Sequence, residues 1–205
     1  KAKALQINLA EVTDGRNPAR RLITADLEFV PGVEIARMVA VVREYLGVTL
    51  EQQVSWRDDE DALKAWRSVL ADAGVFVFKD AFKVEEYSGF CLYDTAFPII
   101  YFNNSTSKTR QIFTLFHELA HLLFHTSGID TRFDEYIPRL RGDDRRIEIL
   151  CNRFAAQFLV PEDELERALR GRAPDEATAE FLAARYHVSR EAIFRRFLDG
   201  ELITQ

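Results

Sequence analysis

The chain has 205 residues, 47% hydrophobic and 29% charged, an ordinary globular composition with enough apolar mass for one sizeable core or two small ones. Its 33 acidic residues outnumber 27 basic ones, and the net charge of −6 excludes broad, non-specific nucleic-acid binding by the whole surface, although not by a small basic face. No apolar run reaches the ~20 residues of a membrane span and no charged-then-apolar leader opens the chain.

The two cysteines, Cys91 and Cys151, lack CxxC spacing, form no disulfide framework and read as buried free thiols in a reducing, cytoplasmic setting. The start at Lys1 without Met fits a piece of a longer chain, in which a preceding domain could carry part of the function.

Residues 1–50 read as an N-terminal segment with one amphipathic helix. Turn signals at Asp14-Gly15, Asn17-Pro18 and Pro31-Gly32 come first. Then Ile35, Met38, Val39, Val42, Tyr45 and Leu46 recur with helical period until Gly47. A second helix spans 58–73, with an acidic first turn and an apolar face of Leu63, Trp66, Val69 and Leu70. The period then shortens. Residues 75–78, 88–93 and 98–103 read as strands, the last two joined by a turn near Asp94-Thr95. A polar loop follows, in which Ser105, Thr106, Ser107 or Thr109 could cap the next helix.

That helix, 110–125, contains TLFHELAHLLFH. Three of the chain's four histidines sit there at four-residue spacing. His117 and His121 stack on one helix face, where two imidazoles can bind one Zn²⁺. Glu118 lies beside that face and can take the proton of a water that zinc has acidified. The surrounding Phe113, Leu115, Phe116, Leu119, Leu122, Leu123 and Phe124 make the helix apolar nearly all round. Buried His and Glu are costly unless paired or coordinated.

A catalytic zinc needs a third protein ligand. His125, Asp130, Asp134, Glu135, Asp143, Asp144 and Glu148 are in range, while position 127, where a third metzincin histidine would stand, is Ser. His125 has drifted about 80° round the helix from His117. It reads as facing the ligands or substrate, or as a satisfied histidine at the helix end.

After a loop of about 17 residues, the helix 143–159 places Glu148, Cys151, Asn152 and Ala155 on one face. Its small residues allow close approach, which makes Glu148 the favoured ligand. Residues 161–169 form a further short helix. Two more flank YHVS in the tail and resemble a helix-turn-helix. The tail's four arginines cluster toward its second helix, and the plain reading of the unit is a packing module rather than a DNA reader.

Together, SGFCLYDTAFPIIYFN, RQIFTLFHELAHLLFH and EILCNRFAAQFLVP resemble the ImmA/IrrE metallopeptidase family over roughly residues 74–161, with weaker likeness through the tail. The resemblance implies Zn²⁺ on His117, His121 and Glu148, with Glu118 as general base. Mn²⁺ or Fe²⁺ would also suit two His and one Glu. Cys151 stands where the family usually has Ala, and could be a redox-sensitive thiol near the metal. The resemblance further implies cleavage of an XRE-type helix-turn-helix repressor, often encoded alongside, and so a part in transcription regulation and stress response. Direct DNA binding would need a further N-terminal domain.

The expected fold is α+β. A small, twisted, mostly antiparallel sheet should pack on the HExxH helix and a second ligand-bearing helix, with a metallopeptidase domain over 51–170 and the helix-turn-helix-like unit over 171–205. In such sites an extended peptide adds to an edge strand, here PIIYFN. Tyr136, the phenol in the 126–143 loop, is the candidate oxyanion donor beside the zinc. A regulatory DNA- or protein-binding module with an idle or structural metal site is the alternative.

Overall fold

The structure, a computed structural model, describes residues 2–82, 87–126, 129–131 (backbone only) and 142–203. In chain order it runs α1 (Ala2–Val12), α2 (Ile23–Asp26), α3 (Ile35–Leu46), α4 (Leu50–Ser55), α5 (Asp59–Asp72), β1 (Phe76–Asp80), β2 (Tyr87–Leu92), β3 (Ile99–Asn103) and α6 (Lys108–Leu123). Then come β4 (Ile129–Thr131), α7 (Gly142–Leu159), α8 (Glu162–Leu169), α9 (Glu176–Tyr186) and α10 (Arg190–Asp199). This is the expected α+β class. No described helix is long and apolar enough to cross a membrane.

The sheet has the order β1-β3-β2-β4. β1 pairs parallel to β3, and β2 runs antiparallel to both β3 and β4. This corrects one expectation: PIIYFN is the source of β3, which is central and not an edge. All five residues of β3 are buried, as its unbroken apolar run requires of a strand covered on both faces. Among the described residues the sheet margins are β1 and β4. β4 itself interrupts the stretch expected to be loop.

The N-terminal segment also holds more than one helix. α1 buries Gln6, whose Nε2 donates to the Phe97 carbonyl at 2.8 Å. α4 opens on a capping box between Thr49 and Gln52. Buried Gln53 then donates to the carbonyls of Leu159 and Tyr186, tying α4 to the ends of α7 and α9. Ile23, Met38 and Val42 join the same hydrophobic core as Trp66, Phe116, Phe158, Leu182 and Phe197. At its centre Trp66 meets the Phe116 ring edge-on at 4.8 Å, and Phe116 stacks on Phe158 at 4.2 Å. Those three rings lock α5, α6 and α7 together.

α6 is positioned from below by the sheet. Its N-cap is Ser107, which accepts from the Arg110 amide. Buried Asn103 accepts from Ser105 and donates to the Tyr87 carbonyl, so the polar loop before the helix is pinned to β2. Gln111 donates back to the Asn104 and Thr106 carbonyls.

Gly89 of β2 lets the helix sit close. A Cβ there would lie 2.5 Å from Thr114 Cγ2 and 3.0 Å from the Tyr101 carbonyl oxygen. Gly89→Ala is therefore expected to destabilise the fold by about 1–3 kcal/mol, the usual cost of overpacking. Urea denaturation measures this, and an unchanged midpoint would contradict the close approach.

Candidate metal centre

α6 ends in a Schellman turn. The His125 amide donates to the Leu122 carbonyl and the Thr126 amide to the His121 carbonyl, at 3.0 and 2.9 Å. The residue at the left-handed position is His125, with φ 55°, where glycine is usual. Its ring stacks on Tyr93 at 4.6 Å and its Nδ1 lies 3.5 Å from Glu28 Oε1. His125 thus ends the helix and lies outside the metal-ligand group described next.

His117 and His121 are buried, one turn apart on α6. Glu148 reaches them from α7. Its Oε2 lies 3.3 Å from His117 Nε2 and its Oε1 lies 3.1 Å from His121 Nε2. The two Nε2 atoms are 3.2 Å apart. Among the described residues these three form the group of potential metal ligands. Of the other candidates, Asp143 and Asp144 lie exposed at the start of α7. Asp134, Glu135, Tyr136 and the side chain of Asp130 are outside the described residues.

The outward ring nitrogens fix the tautomers. His117 Nδ1 faces Asn152 Oδ1, an acceptor, at 2.9 Å, so this nitrogen carries the proton. Thr126 Oγ1 donates to the His121 carbonyl and faces His121 Nδ1 at 3.3 Å, so its lone pair can accept a proton from that nitrogen. Both Nε2 atoms are then left as bare lone pairs, turned toward each other and toward a carboxylate. Atoms this electron-rich and this close repel one another unless a metal ion or shared protons sit among them.

Metal bonds of ~2.0–2.1 Å in tetrahedral geometry place ligand atoms roughly 3.3–3.4 Å apart. The separations of 3.1 to 3.3 Å found here match that spacing. Two imidazoles and a carboxylate therefore fit a divalent ion. Burial pushes the Glu148 carboxyl up, but when the imidazoles carry protons at Nε2 their hydrogen bonds and charge outweigh it and hold the group at about 2. The carboxylate is thus ionised while the imidazoles hold those protons, and a divalent ion in their place would favour the same ionised form.

Glu118 follows His117 on the same helix and is fully buried. Cys151 and Cys91 are buried free thiols. Cys91 Sγ lies 3.8 Å from the Thr126 carbonyl oxygen. Sequence reasoning placed Asn152 on the Glu148 face but gave it no hydrogen bond, and it missed Thr126 altogether. The spacing of Asn152, four residues after Glu148, was a usable signal for the first. Nothing in the sequence marks His125 as left-handed, so the turn that delivers Thr126 was hidden.

Residues 70–198 match the peptidase M78 family, described as the IrrE N-terminal-like domain. The chain is 33% identical to the radiation response metalloprotease IrrE of Deinococcus deserti over 99 residues, 47% of this chain and 34% of that protein. It thus spans about a third of that relative's length. The fold is similar to that of a Mycobacterium tuberculosis transcriptional regulator, with a TM-score of 0.50 and 17% identity, over 80% of this chain and 46% of the other. At that identity the likeness concerns the fold alone. The family match takes in the sheet strands β1 to β3, both ligand-bearing helices and nearly all of the C-terminal helix pair, and the chain belongs to the IrrE N-terminal-like, peptidase M78 family.

Proposed function

We propose that the protein is a zinc-dependent endopeptidase. The observation that carries this reading is the convergence of His117, His121 and Glu148 on one point, with Glu118 on the same turn of α6. Family membership and the named metalloprotease relative support it. Zinc supplies Lewis acidity: it polarises the scissile carbonyl and acidifies a water beside it.

The chain's own residues do the rest. Asn152 and Thr126 hold the imidazoles with Nε2 inward. Glu118 takes the proton of the attacking water and passes it to the leaving amine. Water attacks the carbonyl carbon, the C–N bond breaks, and the proton ends on nitrogen. An extended substrate pairs with the outer edge of β4, which begins three residues after Thr126.

The substrate class we infer is an XRE-type helix-turn-helix repressor, whose cleavage releases its target genes in the cytoplasm. The support for it is the resemblance in the motif segments. The alternative, a DNA-binding regulatory module, is disfavoured by the tail. Arg196 is buried and paired with Glu162 at 2.6 Å, so it serves internal packing, and the exposed Arg190 is already paired with Glu176 at 3.3 Å.

Three outcomes are expected. Glu118→Gln should keep its metal yet lose at least ~10²-fold in cleavage of the neighbouring-gene repressor, whereas Glu148→Ala should lose the metal itself. Elemental analysis beside the cleavage assay reads both, and full activity in Glu118→Gln would overturn the mechanism.

Asn152→Ala should weaken metal affinity roughly 10- to 100-fold, measured by chelator competition. An unchanged affinity would mean that His117 needs no such partner.

Metal should also leave on mild acidification. The imidazoles must shed their protons to bind, whereas Glu148 stays ionised down to about 2. Affinity is therefore full at neutral pH and falls as pH drops through the imidazole range, well before the carboxylate protonates. Retention down to pH near Glu148's own value would contradict histidine ligation.

A further inference from the structure

The outer face of α7 holds a groove of about 380 Å³, lined by Gly142, Arg145, Arg146, Ile149, Leu150 and Arg153. The three arginines are exposed, while Ile149 and Leu150 are half-buried and form an apolar floor. Several other arginines of this acidic chain are answered by carboxylates: Arg57 by Asp58 and Asp61, Arg167 by Glu164, Arg190 by Glu176 and Arg196 by Glu162. Among the described residues Arg145, Arg146 and Arg153 have no ion pair and no side-chain hydrogen bond.

Like charges stacked along one helix face cost free energy rather than contribute it. Asp143 and Asp144 stand nearby in the first turn of α7, where the helix N-terminus already offsets them. Neither lines the groove. A groove with an apolar floor and an uncompensated cationic wall complements a chain that alternates acidic and apolar side chains.

Its place on the helix points to the same partner. α7 is the element that carries Glu148 and Asn152. By helix geometry Arg145 is about 4.5 Å along the axis from Glu148, and the centre of the groove is turned about 130° round the helix from it. An extended peptide advances ~3.3 Å per residue. The groove therefore lies within the span of a few residues of a polypeptide held at the metal centre.

We propose that the Arg145–Arg146–Arg153 groove is a docking subsite for an acidic stretch of the substrate polypeptide, lying a few residues from the bond that is cut. This rests on the metallopeptidase reading and adds to it a charge requirement on the substrate. Three arginines and an apolar floor suit a peptide better than a nucleic acid, whose affinity comes from a wider run of phosphate contacts.

The test is fluorescence anisotropy with the metal-loaded full chain and a labelled peptide of alternating Glu and Leu. Its Gln-for-Glu counterpart and a short DNA duplex are the controls. The acidic peptide should bind, and its affinity should fall as salt rises. Arg145→Glu/Arg146→Glu and Arg153→Glu should each weaken it roughly tenfold, with Gln substitutions falling between. Circular dichroism and metal content should stay as in the wild type, since the substituted side chains are exposed.

Equal binding of the Gln peptide, equal binding by the charge-reversed variants, or preference for the duplex would overturn the proposal. The readout is independent of turnover, so Glu118→Gln should bind the acidic peptide as tightly as wild type. In cleavage, charge reversal should raise KM for the substrate with kcat little changed. Acidic-peptide binding without any cleavage would count against the peptidase reading and not against the groove. Cleavage that is indifferent to the arginines would count against the groove alone.

Discussion

The packing of α6 on α7 brings two imidazole nitrogens and a carboxylate to one buried point, and the other features of the site depend on that contact. Buried polar groups of this kind are tolerated only when something offsets their lost hydration. With both Nδ1 protons directed outward, a divalent ion among His117, His121 and Glu148 would remove the repulsion between their inner atoms. The helices can come this close because α7 presents Cys151 and Ala155, both fully buried, on the face that carries Glu148 and Asn152. One layer away, the Phe116–Phe158 stack sets the same spacing with apolar surface.

The supports of the site come from unrelated parts of the chain. Asn152 orients His117 from the opposing helix, and Thr126 orients His121 from the turn that ends the same helix. That turn places His125 at a left-handed position, which costs a non-glycine residue conformational energy. The stack on Tyr93 helps hold it there. The sheet fixes the other end of α6 through Gly89, Asn103 and the Ser107 cap. The N-terminal helices and the C-terminal pair join the same core, with Gln53 bonded to the ends of both α7 and α9.

How much of this was legible follows from how local each signal is. His117 and His121 could be paired from sequence because four-residue spacing means one helix face. Glu148 and Asn152 could be grouped for the same reason. The α+β class and the boundaries of α5 and α7 followed from periodicity and from stop residues such as Pro161. The order of strands did not. PIIYFN was expected at an edge because it directly precedes the motif helix, but a strand buried on both faces belongs in the middle. α1 and α4 escaped because each buries a polar residue, Gln6 and Gln53, at a position where a pattern of apolar residues was sought. β4 has only three residues, too few to show alternation. The hydrogen bonds between Thr126 and His121 span only five residues, yet they depend on backbone geometry that residue identity does not encode.

The most direct measurement is X-ray absorption at the zinc edge of the metal-loaded protein. Binding by His117, His121 and Glu148 predicts a coordination shell of nitrogen and oxygen alone, at ~2.0–2.1 Å, with the multiple-scattering pattern of two imidazoles. A sulfur neighbour at ~2.3 Å would contradict it. It would move a ligand to Cys151 or Cys91 and make the buried His–His–Glu group something other than the metal site.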